Sequence, residues 1–331
     1  MKLSILDQSP ISDDQTPRDA LEATMKLAQT AESLGYTRFW VAEHHGLPGL
    51  ASSVPEVMLG YIGANTNEIR IGSGAVLLPY YKPYKVAETY NMLGTLYPGR
   101  VDIGVGRAPG GPAEVSEVLS DNFLQGVFSM PDLLKDLIRY IDDADEKIKA
   151  GPVPPVKPDI WMLGTSGKSA KAAAGNGLYY AFGQFMSDAE GKGVIDEYQK
   201  SFKPRSEGQT PYVIVTLSVI CAETSEKAAQ LANSYLVWQA KKDKEDEFEH
   251  LPSLKTAEAA TLSPDEQKQM DDMKGQMIIG DPASVKQELE QIHEETEADE
   301  IMIVTITHSP EDKRESYRLI AEQFNLDKYD I

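Results

Sequence analysis

The sequence predicts one α/β domain closed as a (β/α)8 barrel. Strand-helix units recur at roughly 30-residue spacing, the length of a βαβ unit whose crossover helix keeps its strands parallel. The pattern supplies eight main strands, each with an associated helix, and eight parallel strands can close without an exposed sheet edge. The length of 331 residues, with 41% hydrophobic and 25% charged side chains, suits one elaborated barrel with a substantial core. A doubly wound open sheet is the other topology compatible with the pattern.

Residues 1–6 form a short apolar strand, and the polar segment 7–15 leads into a helix-period series that includes Leu21, Met25, Leu27, Ala28, Ala31 and Leu34. Gly35 stops that helix, and the β-branched and aromatic residues of 37–42 suit the next strand. A helix at 55–65, a strand at 69–73, a helix at 85–96 and a strand at 101–105 continue the alternation. After Gly111 the regularity lapses into a Glu-rich stretch, a helix at 131–149 and a Pro-rich segment at 151–158. Because strand 160–163 follows at once, residues 112–158 are an excursion inserted after strand 4, within one domain spanning 1–331. Helix 166–176, strand 179–182, helix 188–202, strand 213–221 and helix 225–241 come next. The stretch 242–275 is charged and lacks a clear apolar period, as expected of a long insertion or mobile lid. Helix 283–295, strand 301–306 and helix 310–324 close the pattern, and the apolar run 277–279 is too short for a ninth equal strand.

The 32 basic and 52 acidic residues give a net charge of −20, which repels phosphate backbones and anionic membrane surfaces. Nucleic acid and membrane are therefore not expected partners, and an anionic ligand must be held by a local site. Solubility is the plain reading of the charge. The single cysteine, Cys221, excludes an internal disulfide and reads as a buried strand thiol. No secretory pattern opens the sequence and no apolar stretch is of spanning length, so the expected compartment is the cytoplasm.

A barrel of this type presents functional residues after its strands, here at 7–9, 43–45, 74–79, 106–110 and 164–169. Of Glu43, His44 and His45, at least one imidazole should face the mouth and exchange protons near neutral pH, against the alternative of a structural or surface histidine. The motif is not H-E-x-x-H and no Cys/His cluster accompanies it, so no metal is expected. Thr165, Ser166, Gly167 and Ser169 lie between a strand and a helix N-terminus, where free N–H groups and hydroxyls suit a phosphate; simple N-capping by Ser166 is the rival. A Walker loop is excluded, since Met162 stands where that pattern needs glycine. Arg107 is a planar, permanently charged donor at the mouth, either an anion partner or paired to a nearby carboxylate. Gly72, Ser73, Gly74 and Ala75 either let a flat ligand approach the backbone or serve packing alone. The tryptophans Trp40, Trp161 and Trp238 read as core.

Five segments resemble the bacterial luciferase-like, flavin-dependent monooxygenases: FWVAEHH at 39–45, RIGSGAVLLP at 70–79, GRVDIGVGRAPGG at 99–111, LGTSGKSAKAAAGNGLYYAF at 163–182 and ADEIMIVTITHSPEDKRESY at 298–317. The resemblance implies a barrel that takes FMN reduced by a separate NAD(P)H:flavin reductase and uses O2, through a flavin C4a-peroxide, to oxygenate a small organic substrate. By position it makes His44 the catalytic mouth histidine, Arg107 the phosphate-side arginine, and Thr165, Ser166, Gly167 and Ser169 the phosphate turn. Gly74 and Ala75 match a turn that often holds a non-prolyl cis peptide beside the isoalloxazine. Family habit implies a homodimer. Gly106 stands where luciferase has a reactive cysteine, so light emission is not implied, and Gln184 replaces a histidine of many relatives. The rivals are an F420-dependent oxidoreductase, a flavin-binding protein without turnover, and a phosphate-handling isomerase or lyase, the last disfavoured by the want of a Lys or Glu pair at the strand ends.

Overall fold

Residues 1–145, 147–187, 191–241 and 248–327 are described by the computed structural model. Ten strands occur among them: β1 (Lys2–Asp7), β2 (Arg38–Val41), β3 (Arg70–Ser73), β4 (Val76–Leu77), β5 (Val101–Gly106), β6 (Asp159–Gly164), β7 (Tyr179–Gly183), β8 (Val213–Cys221), β9 (Ile278–Gly280) and β10 (Glu300–Val304). All pairings between them are parallel, in the order β10-β1-β2-β3-β5-β6-β7-β8, and β10 also pairs with β8. That last pairing closes the ring of eight. β4 continues the line of β3 against β5, while β9 pairs only with the far end of β8, at Val219–Cys221, outside the ring. The short run expected not to be an equal member is therefore β9.

Successive side chains of a strand point to opposite faces, so each strand contributes alternate residues to the ring interior. Arg38 and Trp40 of β2, Trp161 of β6, Ile214 of β8 and Met302 of β10 occupy that interior. Their neighbours Phe39, Val41, Ile160, Val215 and Ile303 pack outward under the helices. The helices belong where local chemistry starts them. Thr16 caps the helix Pro17–Ser33 in a capping box with Asp19, and Ser309 caps Pro310–Phe324.

One expectation is corrected and another gains detail. The helix anticipated over 131–149 is Met130–Ile141; it buries Leu134, Leu137 and Ile141, after which Asp142 and Asp143 offer nothing to bury and Asp143 turns left-handed at φ 56°. The excursion carries two further short helices, Ala113–Leu119 and Phe123–Phe128. In the stretch read as an unpatterned cover, residues 242–247 lie outside the described residues, but the rest contains helices Leu254–Ala259 and Pro264–Gly275, capped by Ser253 and Ser263. They pack Leu254, Met270 and Met273 against the helix Ser225–Lys241. Each buries so few apolar residues that no period shows in the sequence. Of the helix expected from 188, Gly191–Ser201 is described and residues 188–190 are not.

Candidate active site

The N-terminal end of the ring is closed by charge. Arg38 donates to Glu300 at 2.8 and 3.0 Å and to Asp102 at 2.7 Å, and the Trp40 indole N–H donates to Asp102 at 3.0 Å. Arg70 bridges Asp102 to Asp159, and the Tyr212 hydroxyl and Ser4 donate to Glu300. Burial alone would raise the Asp102 carboxyl, but Arg38 and Arg70 outweigh it and hold it below its ordinary value. Above this plug Trp40 and Trp161 meet edge to face at 5.4 Å and fill the middle of the ring.

The opposite end is open. A cavity of about 350 Å³ is bounded by residues in or just after all eight strands of the ring, a size within the usual range for small-ligand sites. His44, Gly74, Ala75, Arg107, Thr165, Ser166 and Ser169 all line it; Gly167 does not, and begins the adjacent helix Gly167–Gly175. His44 and Ser169 thus share one mouth.

The period of two continues past the end of β2 and separates the two histidines. His44 follows Trp40 and Ala42 inward, whereas His45 turns away to place Nε2 2.8 Å from Glu43 and its ring edge-on to Tyr80. Glu43 is buried and saturated: the Leu77 N–H donates to it at 3.0 Å and the Tyr81 hydroxyl at 2.6 Å. It ties the β2 loop to the segment after β4. The His44 N–H donates to the Ser52 carbonyl, and the Ser52 hydroxyl donates to the Ala42 carbonyl, which fixes the backbone that carries the imidazole. His44 Nδ1 is buried without a hydrogen-bond partner. Burial, and secondarily the neighbouring His45, push the His44 pKa down to about 4, so the ring is neutral at pH 7.

The floor beside His44 is made of backbone. The Gly74–Ala75 peptide is cis. A Cβ on Gly106 would lie 3.0 Å from that of Ala75, and one on Gly74 would lie 2.6 Å from Leu6, so both positions are held flat by their neighbours. Gly72 is a packing glycine: a Cβ there would strike Trp40 and Asp102.

At the β6 side, Ser166 caps its helix in a capping box with Ser169, although its hydroxyl is 3.5 Å from the Ser169 N–H. The Ser169 hydroxyl is held at 2.7 Å by the Ser166 carbonyl and lies 3.0 Å from the Tyr180 hydroxyl, whose pKa burial pushes up to about 12. The capping role and the mouth position therefore coexist. Arg107 is exposed at the rim and forms no ion pair or hydrogen bond among the described residues, so the paired-arginine alternative is not what this loop adopts. Gln184 is directed at the Ser187 carbonyl, 3.3 Å away, and is not among the lining residues.

Sequence reasoning overlooked Thr216, Met302, Leu163 and Ala181, which form the remaining inner wall with Leu6. The signal was the alternation along each strand. In β8 it was hidden, because the outward residues are apolar and the inward set of Ile214, Thr216 and Ser218 is mostly small or weakly polar.

The family model for luciferase-like monooxygenases matches residues 1–300, and the chain belongs to that family. It is 43% identical to the uncharacterized protein YwcH of Bacillus subtilis, over 98% of this chain and 99% of that protein. It is 34% identical to the N-acetyl-S-alkylcysteine monooxygenase of the same organism, over 97% and 98%. Among solved structures, apo-MsnO8 superposes with a TM-score of 0.92 at 34% identity, covering 99% of each chain. The fold alone is shared with two more distant structures. One is the oxygenating constituent of 3,6-diketocamphane monooxygenase from Pseudomonas putida in complex with FMN, with TM-score 0.69, 18% identity and 97% of each chain covered. The other is an F420-dependent secondary alcohol dehydrogenase, with TM-score 0.67, 14% identity and 97% and 98% covered.

Proposed function

We propose that this protein is a two-component, FMN-dependent monooxygenase that takes flavin reduced by a separate NAD(P)H:flavin reductase and uses O2 to oxygenate a small organic substrate. One observation carries the reading: a single mouth combines a neutral, partner-free imidazole, a floor without protruding side chains, and a hydroxyl-lined helix N-terminus next to an unpaired arginine. The floor suits the planar ring of a flavin nucleotide, the helix N-terminus with Arg107 suits its phosphate, and the imidazole stands where the ring would react. Membership in a family whose relatives include a named monooxygenase supports it.

In this reading Thr165, Ser166 and the first N–H groups of Gly167–Gly175 hold the phosphate with Arg107, at a helix end whose dipole favours an anion. On a protein of net charge −20 that local cation is the counterweight to the global field. Gly74, Ala75 and Gly106 let the planar ring approach the backbone. Reduced FMN, when bound, supplies the electrons that activate dioxygen; the protein supplies placement and exclusion of water. His44 exchanges the proton. Among the described residues nothing hydrogen-bonds its Nε2, which unlike Nδ1 is not fully buried, and a pKa of about 4 keeps the ring unprotonated at pH 7. No helix among the described residues is long and apolar enough to cross a membrane, which fits a cytoplasmic enzyme. The apolar outer residues Val57, Tyr61, Met92 and Leu96 on adjacent helices support a homodimer through that face.

The F420-dependent neighbour favours hydride transfer as the second reading. Anaerobic titration with FMN, reduced FMN and F420, followed by absorbance, separates the two. The proposal expects tightest binding of reduced FMN and rapid reoxidation on admitting O2. Selective binding of F420 overturns it.

A further inference from the structure

Resting on the flavin reading for the division of the mouth, the β3–β6 side goes to cofactor and the wall formed by β1, β7, β8 and β10 remains. We infer that this wall selects a small, neutral substrate bearing one acceptor oxygen, such as a ketone, ester or amide, on an otherwise apolar frame, and that Thr216 and Gln8 determine the selection.

Thr216 is 4% exposed, lines the cavity, and its hydroxyl makes no hydrogen bond among the described residues. Register places it between Gly183 of β7 and Met302 of β10, so it is the polar point in a stretch otherwise built from Leu6, Ala181 and Met302. Gln8, directly after β1, lines the same cavity with its side-chain amide likewise unengaged. The Thr216 hydroxyl opens onto the cavity, so a ligand that displaces water there must replace its hydrogen bond, and a site built to hydrogen-bond a substrate rejects analogues that lack the matching group. A carbonyl oxygen has two lone pairs and accepts from a hydroxyl, an amide N–H or both.

Charge decides the rest. The lining contains two charged residues, Glu43 and Arg107. Glu43 is saturated by Leu77, Tyr81 and His45, and Arg107 stands across the mouth after β5. A carboxylate or ammonium placed against Thr216 would lose its water without meeting an opposite charge. A hydrocarbon would leave the hydroxyl and amide unpaired.

The test uses the full chain, flavin-free and loaded with FMN, and measures binding of 2-hexanone, hexanoate, hexylammonium and hexane by ligand-observed NMR. The expected result is that 2-hexanone binds at least about tenfold tighter than either ion, and that Thr216→Val weakens it about five- to tenfold, the worth of one hydrogen bond. Hexane should bind Thr216→Val at least as well as it binds the wild type, because the hydroxyl it would leave unpaired is gone; Thr216→Ser should restore the ketone, and FMN affinity should stay within about twofold throughout, since the hydroxyl lies outside the cofactor's side. Equal binding of an ion and the ketone overturns the inference, as does the absence of ketone binding, or a Thr216→Val loss that is the same for ketone and hexane. If FMN fails to bind while the flavin-free chain keeps its ketone preference and its response at Thr216, the cofactor reading falls and the wall's selectivity stands.

Discussion

The two ends of this barrel are built from the same strands, a few residues apart, and treat polar groups in opposite ways. At the N-terminal end Arg38, Arg70, Asp102, Asp159 and Glu300 answer one another's charges, and Asp102 and Glu300 are 0% exposed. At the C-terminal end the His44 ring, the Thr216 hydroxyl and the Arg107 guanidinium line the mouth and make no hydrogen bond or ion pair among the described residues. A saturated network holds a shape, whereas unpaired donors and acceptors around a cavity wait for a ligand. The difference shows which end has the cavity and the free polar groups to receive a ligand. Between the ends, the Trp40–Trp161 pair keeps the plug apart from the mouth.

Changes at the two ends should therefore separate. The largest expected effect is at the mouth: His44→Ala should lower turnover, read as the rate of flavin reoxidation and product yield in stopped flow, by about 10²–10⁴-fold. Its FMN affinity and urea midpoint should match the wild type. An unchanged trace with unchanged product would remove His44 from proton transfer.

At the plug, Arg38→Met should do the reverse. It leaves buried Glu300 without a cation and Asp102 with Arg70 alone, and urea unfolding should show a loss of about 3–5 kcal/mol. A variant of wild-type stability would mean that the plug is not what closes this end.

Arg107→Ala should weaken FMN about tenfold and leave the urea midpoint unchanged, because an exposed charge-assisted contact to phosphate is all that it removes. Riboflavin, which lacks the phosphate, should bind the variant and the wild type alike; an equal loss for both flavins would take Arg107 away from the phosphate.

A further difference lies in the response to pH. The His44 pKa of about 4 lies below the 6.5 of an unperturbed histidine, so the unfolded chain takes up that proton first. Above pH 6.5 the ring is neutral in both states and costs nothing; as pH falls from 6.5 toward 4 the unfolded chain alone is protonated and the folded state loses stability. His44→Gln should flatten that part of the stability curve, and the ring resonances of His44 should titrate near 4 in NMR. Titration near 6.5 would contradict the buried, neutral ring on which the mouth depends.

Much of the molecule was legible from the chain. The eight ring strands stand within two residues of where β-branched and aromatic runs put them, since each buries an apolar outer face under a helix. Gly164 to Ser169 and the pair Gly74–Ala75 were visible because loops after parallel strands have recognisable small and hydroxyl residues. Other features were not. The cover expected at 242–275 contains two capped helices too short to print a period. Thr216 lay within a run that reads as uniformly apolar.

What the sequence by itself determined is local: strand and helix periods, the caps, the glycines after β3 and β5, and the acidic surface. Those depend on neighbours within a few positions, so they are written in any short window. Tertiary structure alone decided the pairing of Arg38 with Glu300, 262 positions apart, and the hold of Glu43 on His45 and Tyr81. It also decided that Gly72 serves packing while Gly106 serves the cavity floor. Each follows from closure of the ring, which turns alternate residues of distant strands toward one axis and lets only geometry choose which of them meet.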